Sequence, residues 1–334
     1  IALTASSAAP GAPAENVIDG DPATLWEPAS NGPAWMAMSF PNDRIIAGVD
    51  VAGVDRPEQS WHVEISRDAT NWIRAGEWRR DGDRSSCLIG KAAVRHVRLV
   101  REAGSSGLGE VGVLDWANVA AGSALEIVRG LAGIEGSPTK IHVGRDGSFV
   151  PEPHDGQVGL AVYDQEAGVL YTPETMVTDW SLEDGRFPFN MIAWRAGGLE
   201  AGTTIFAEDY KGCELTYARM VLSNSTDRAR RVTMLVTVRP SSINAERAKA
   251  LRTVTRRDSD QLVMNGSGVI RVQWPDGRDS SATDVLTALG LRVLAKGDAL
   301  DLRSPNDRVA AGRDLDLGPG QAVACTVWVP SSPV

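Results

Sequence analysis

Short apolar or alternating runs recur along the chain every ~8–15 residues, separated by Gly, Pro, Asn and Asp clusters, which is the signature of strands and turns. PAWMAMSF, WHVEIS and VRHVRLV are such runs in the first third. GLAVYD, GVLYT, TTIFAEDY, TYARMVLSN, RRVTMLVTVRP, GVIRVQWP, GLRVLAKG and AVACTVWVP follow. No alternation of strand and helix signals points to parallel βαβ units. Helical patterning is confined to 241–254 and to a short piece near 283–289. In the first of these, Ile243, Ala250, Leu251 and Val254 share one helical face, interrupted by Arg247. Many strands and few helices predict an all-β chain of packed sandwiches.

Length changes this picture only by dividing it. A chain of 334 residues is long enough for about two domains, each able to bury its own core. The net charge is −9 and no basic stripe is present, which argues against a nucleic-acid partner. Arg228, Arg230 and Arg231, and Arg252, Arg256 and Arg257, are interrupted by acids and polar residues and read as solvated faces. No apolar run of about eighteen residues predicts a membrane span. Cys87, Cys213 and Cys325 are too few and too far apart for a disulfide framework or a zinc site, so free thiols are expected. The histidines are scattered, and His154 beside Asp155 is the one candidate metal or acid–base pair among them. The chain starts at Ile1. A removed signal peptide and a piece of a longer protein both fit that start.

One segment carries candidate chemistry. NVIDGDPATLW (Asn16–Trp26) sets Asp19 and Asp21 around Gly20, with Thr24 and Trp26 following. Oxygen-only side chains around a sharp turn suit a hard cation such as calcium. The same residues also suit a plain polar turn ahead of a strand.

The surrounding order extends this motif. ALTASS precedes it, PAWMAMSF follows, S-x-D-x-x-x-W stands at Ser66, Asp68 and Trp72, and GLGEVGVL closes the unit at Glu110. Residues 1–117 thereby resemble the discoidin, or coagulation-factor type C, domain. That is a galactose-binding-like, jelly-roll-like β-sandwich used as a carbohydrate-binding module by many secreted enzymes. The resemblance implies a structural calcium held by the side chains of Asp19, Asp21, Thr24 and Glu110 and by the carbonyls of Asn16 and Gly109. It also implies a sugar site in loops at one end of the sandwich. Arg56 matches the family's arginine there, and its planar fork suits paired hydroxyls. Glu27 stands where a histidine is often found, and SSGLGE (105–110) lacks the usual stacking aromatic. Trp35 and Trp78 are substitute platforms or packing. Any glycan contact is expected at these loops rather than in the second half.

Residues 118–334 follow a different order: VTDWSLEDGRFPF (177–189), IAW (192–194), TYARMVLSNSTDRARRVTMLVTVRP (216–240) and DLGPGQAV (316–323). This resembles the β-supersandwich, with a few short helices, that precedes an (α/α)6 barrel in several glycoside hydrolases and phosphorylases. In those enzymes the catalytic acids belong to the barrel. No carboxylate pair in a recognised arrangement is present here: Glu183–Asp184 and Glu208–Asp209 read as hairpin tips and strand ends. Nucleotide-binding, hydrolase-elbow and metalloprotease motifs are absent from the sequence.

The expected function is therefore the non-catalytic glycan-binding and scaffolding portion of a carbohydrate-active enzyme, with a catalytic domain following residue 334. A free-standing adhesion protein that binds glycan or protein is the second reading, and an active site straddling both sandwiches the third. The isolated chain is expected to turn over no glycan. By resemblance alone, it belongs outside the cytoplasm.

Overall fold

The computed structural model describes the chain except at residues 54–56, 82–83, 105, 117–129, 134–140, 145–146, 152–155, 173–175, 177, 183–188, 211, 241–250, 267, 303–306 and 331–334. Arg56, the His154–Asp155 pair, Glu183–Asp184 and most of the helix expected at 241–254 lie outside the described residues. The chain divides into two compact units, Ile1–Ala120 with Thr175–Val177, and Ala121–Glu174 with Thr178–Val334.

The first unit contains β1 (Ala2–Ala5), β2 (Ala34–Ala52), β3 (Trp61–Ser66), β4 (Ile73–Ala75), β5 (Glu77–Asp81), β6 (Arg84–Arg101) and β7 (Val111–Asp115). β2 and β6 form one long antiparallel ribbon, from Ala34 opposite Arg101 to Ala52 opposite Arg84. Its register breaks between Ser39 and Arg44 and again between Ile46 and Gly48. Such breaks let a ribbon turn a corner and pass from one layer of a sandwich to the other. One leg carries β1 and β3, with β4 beyond; the other carries β7 and β5. The legs meet where the Trp78 indole on β5 donates to the Trp61 carbonyl on β3 at 3.0 Å. Both ends of the ribbon therefore reach one rim, with the loops after β1, β2 and β6.

Alternation in the sequence decides which side chains fill this unit. Met36, Met38, Trp61, Val63, Val97 and Leu99 point inward from one leg, and Ile46, Val49, Cys87 and Ile89 from the other. Trp26 is fully buried against Trp61, their rings 5.7 Å apart. Indoles of this size supply a large share of the apolar area a small sandwich removes from water.

The second unit begins with β8 (Gly130–Ala132), β9 (Ile141–Val143), β10 (Phe149–Pro151), β11 (Gly156–Asp164), β12 (Val169–Tyr171), β13 (Thr178–Leu182) and β14 (Asn190–Ala196). Long strands follow: β15 (Leu199–Tyr210), β16 (Cys213–Asn224) and β17 (Arg230–Pro240). Then come β18 (Thr253–Asp258), β19 (Gln261–Met264), β20 (Gly268–Gln273), β21 (Arg278–Asp279), helix α1 (Thr283–Ala288), β22 (Arg292–Val293), β23 (Ala299–Asp301), β24 (Val309–Leu317) and β25 (Ala322–Pro330). One sheet runs β8-β9-β10-β11-β17-β24. The other runs β13-β14-β15-β16-β25-β20-β19-β18-β23. Among the described pairings of this unit only β22 with β24 is parallel.

The short helix α1 lies where the periodicity placed it. Val254 does not belong to a helix: Thr253–Asp258 pairs with β19 and β23, and its alternating burial overrides the weak helical face. GLRVLAKG contributes only the two-residue β22. Cys87 and Cys325 are buried free thiols, and Cys213 is a half-buried one. Burial pushes the Cys325 thiol up to about 12, so it stays protonated and unreactive.

Candidate functional site

The rim of the first unit gathers the candidate residues. A 3-10 turn (Ala14–Ile18) delivers the chain to Asp19-Gly20-Asp21, and Gly20 adopts φ +81°, a conformation costly for other residues. The carboxylates then organise the loop. Asp19 accepts from the Asp21 amide at 2.9 Å and from the Thr24 hydroxyl at 2.8 Å. Asp21 accepts from the Ala23 amide at 2.9 Å. Glu110, ninety residues on, accepts from the Gly20 amide at 3.0 Å. The Asn16 side chain donates to the Leu25 carbonyl at 2.8 Å. The Asp21 amide, followed by the Thr24 hydroxyl, holds the Asp19 carboxyl below its usual range.

Two glycines let the loops close on one another. A Cβ on Gly53 would lie 2.0 Å from the Pro22 carbonyl, and one on Gly109 2.2 Å from the Ala52 carbonyl. Segments 19–24, 52–53 and 109–110 are therefore in direct contact. Asp19, Asp21, Thr24 and Glu110 share this cluster, with the Gly109 backbone beside it. Its donors are all oxygen. Among the described residues no three or more His, Cys, Asp or Glu side chains stand at metal-holding spacing. A hard cation here would draw on the Thr24 hydroxyl and carbonyls as well as the acids.

Beside this loop, Trp26 and Leu108 exchange backbone hydrogen bonds at 2.8 and 2.9 Å, which seats the next residue, Glu27, against the loop after β6. A Cβ on Gly107 would lie 3.2 Å from Glu27 Cγ. The Glu27 carboxylate is exposed and has no hydrogen-bond or ion-pair partner among the described residues. The rim thus presents the Glu27 carboxylate, unpartnered among the described residues, against the loop after β6. Trp78 and Trp35 are both half-buried. Trp78 is committed to Trp61, and Trp35 lies on the sheet face with the Arg98 guanidinium 6.0 Å from its ring.

Arg101 is the rim residue that patterning alone did not single out. It is 1% exposed. Its guanidinium donates to the carbonyls of Ser106 at 2.8 Å, Ser30 at 2.7 Å and Gly32 at 3.2 Å, and lies 5.6 Å from the Trp61 ring. One buried side chain therefore ties the loop before β2 to the loop after β6.

The S-x-D-x-x-x-W segment does structural work. Asp68 accepts from the amides of Thr70 and Asn71 at 2.9 and 2.8 Å. The turn then lays Trp72 over Arg98, guanidinium to ring centre 4.1 Å, while Arg98 pairs with Glu64. The Asn71 and Thr70 amides hold the Asp68 carboxyl far below its ordinary 3.8. A depressed carboxylate stabilises the fold above its unfolded-state value and loses that effect only as pH falls through the folded value. The melting-temperature gap between wild type and Asp68→Ala is thus expected to stay constant from about pH 7 to 5 and to close only below about pH 4. A gap that shrinks between pH 7 and 5, followed by circular dichroism, contradicts this.

Residues 2–108 match the F5/8 type C domain. Solved structures similar over 34% of this chain include three carbohydrate-binding modules. A pectin-binding carbohydrate-binding module is 19% identical, with 88% of its own chain covered and a TM-score of 0.30. A Clostridium perfringens CBM32 module in complex with GalNAc-β-1,3-galactose is 19% identical, with 94% covered and a TM-score of 0.29. A chitosan-binding module of a Paenibacillus sp. IK-5 chitosanase/glucanase is 22% identical, with 92% covered and a TM-score of 0.30. No curated protein matches the chain. No helix among the described residues is long and apolar enough to cross a membrane.

Proposed function

From an F5/8 type C domain at residues 2–108, we propose that the first unit is a glycan-binding module whose contacts run through the rim loops, with Glu27 and Arg56 as the polar anchors. The observation that carries this is the exposed Glu27 carboxylate beside Gly107, unpartnered among the described residues. A carboxylate accepts from sugar hydroxyls and a guanidinium donates to them, so the two residues suit adjacent hydroxyls of one ring. No aromatic stands free in the loop after β6, so affinity is weak, on the order of millimolar. The second unit serves as the scaffold for a catalytic domain that lies C-terminal to it, and glycan turnover belongs to that domain. Titrating the labelled chain with galactose and N-acetylgalactosamine tests the rim. Shifts confined to the amides of 26–33, 53–60 and 102–110 support it; shifts elsewhere, or none, refute it.

Calcium binding belongs to the same proposal. Asp19, Asp21, Thr24 and Glu110, with carbonyls of Asn16 and Gly109, are the residues that would hold the ion, and it would fix the first loop to the start of β7. A cation bound only by the folded state at a hundredfold excess over its dissociation constant stabilises by about 2.7 kcal/mol. Chelator should therefore lower the melting temperature of the wild type and leave Asp19→Ala unchanged. Identical wild-type curves with and without chelator dispose of the calcium.

A further inference from the structure

On one face of the nine-stranded sheet of the second unit, aromatic residues form a row that crosses neighbouring strands in register. Phe206 lies opposite Tyr217, and Tyr217 opposite Trp328, with Phe189, just before β14, extending the row on the other side. Ring centroids are 5.1 Å apart for Phe189–Phe206, 5.1 Å for Phe206–Tyr217 and 6.5 Å for Tyr217–Trp328. All four are half-buried, whereas the alternating residues Ile205, Ala218, Met220, Cys325 and Val327 fill the core. Phe206 and Tyr217 stack at 11° and so cover each other's faces. The row ends at Trp328, whose one ring neighbour among the described residues is Tyr217, tilted by 39°.

Charge is distributed unevenly along this row. Arg271 lies directly opposite Trp328 on β20, and Arg219 lies opposite Thr326, one row over on β16. Gln273 faces Thr326 from the other side. Arg271, directly opposite Trp328, is about 5 Å from it at Cβ, and Arg219, its diagonal neighbour on β16, about 7–8 Å, so both side chains are long enough to reach the space beside Trp328. Both are exposed, and neither has a hydrogen bond or ion pair among the described residues. Glu208 lies at the opposite end, close enough to Tyr217 that, after burial, it helps raise that phenol's pKa. In a chain of net charge −9, two unneutralised guanidiniums beside an indole are a local exception.

We propose that this face is a second glycan site, selective for acidic sugars. A uronic acid ring stacks on Trp328, its carboxylate is taken by Arg271 and Arg219, and its hydroxyls by Gln273 and Thr326. Guanidinium forks match carboxylates in geometry as well as charge, and a sugar's apolar face packs on an indole as other apolar surface does. The site is independent of the rim and stands or falls without it.

The test is calorimetric titration of the full chain with a galacturonic acid trimer and, separately, a neutral galactose trimer. The acidic trimer should bind at least about tenfold more tightly, and Arg271→Ala or Arg219→Ala should each cost about tenfold, the value of one charge-assisted hydrogen bond. Binding should weaken as salt is raised and should be unaffected by Glu27→Ala. Both arginines are exposed, so their removal leaves the sandwich folded. Equal affinity for the two trimers, no binding of the acidic one, indifference to both arginine variants, or loss on Glu27→Ala would each overturn the proposal.

Discussion

Arg230→Ala is expected to destabilise the second unit by about 3–5 kcal/mol, the cost of leaving one member of a buried ion pair alone. Asp164 is fully buried and Arg230 is 4% exposed. The guanidinium pairs with the Asp164 carboxylate and donates to the Gly197 carbonyl at 2.5 Å. Asp164 in turn accepts from the amides of Glu166 and Ala167 at 3.0 Å. This group clasps the end of β11, the start of β17 and the turn between β14 and β15, so it joins both sheets of the unit. A Cβ on Gly197 would meet the Tyr171 hydroxyl at 2.6 Å, so the turn packs closely on that ring. Arg230→Lys should recover little, because one ammonium cannot serve carboxylate and carbonyl in the guanidinium's geometry. Urea unfolding of the full chain measures this. A midpoint unchanged on Arg230→Ala would show that the clasp is energetically idle.

The next largest effect falls at the rim. Arg101→Met removes the donors of three carbonyls in two loops, Ser30, Gly32 and Ser106. Hydrogen bonds from a charged group contribute about 1.5–3 kcal/mol each. Against that, burial disfavours the charged guanidinium and pushes its pKa down, so methionine recovers desolvation energy. The balance is a loss of about 2–3 kcal/mol from the first unit. The functional consequence is larger than the energetic one: with the loops released, the Glu27 and 102–110 backbone lose their fixed spacing. Hydrogen exchange should speed up at the amides of residues 30–32 and 106–108 in the variant while the β2–β6 ribbon stays protected. Uniform loss of protection would mean that Arg101 holds the core rather than the rim.

These two residues show where a sequence is silent. The strands were legible because period-2 burial survives in β14 as NMIAWRA and in β15 as LEAGTTIF, and the loop of Asp19 and Asp21 because its turn chemistry is local. Arg101 sits inside VRLVRE, where an inward arginine breaks alternation and reads as a solvated end. Its meaning depends on carbonyls about seventy residues earlier. Arg230 read as part of a solvated cluster with Arg228 and Arg231, because Asp164 is sixty-six residues away. The aromatic row of the second unit is likewise assembled from strands far apart in sequence. The helix expected at 241–254 does not include Val254 for a related reason: pairing with β19 and β23 outweighs a modest local periodicity there.

The proposed glycan contact runs through Glu27 and Arg56 at the rim. The direct measurement is calorimetric titration of galactose-containing oligosaccharides into wild type, Glu27→Ala and Arg56→Ala, with thermal melts of each to confirm the fold. Millimolar binding by the wild type that falls at least about tenfold in each variant, with melting temperatures unchanged, is the predicted result. Wild-type binding that survives both substitutions, or its absence for every neutral glycan tried, would contradict it.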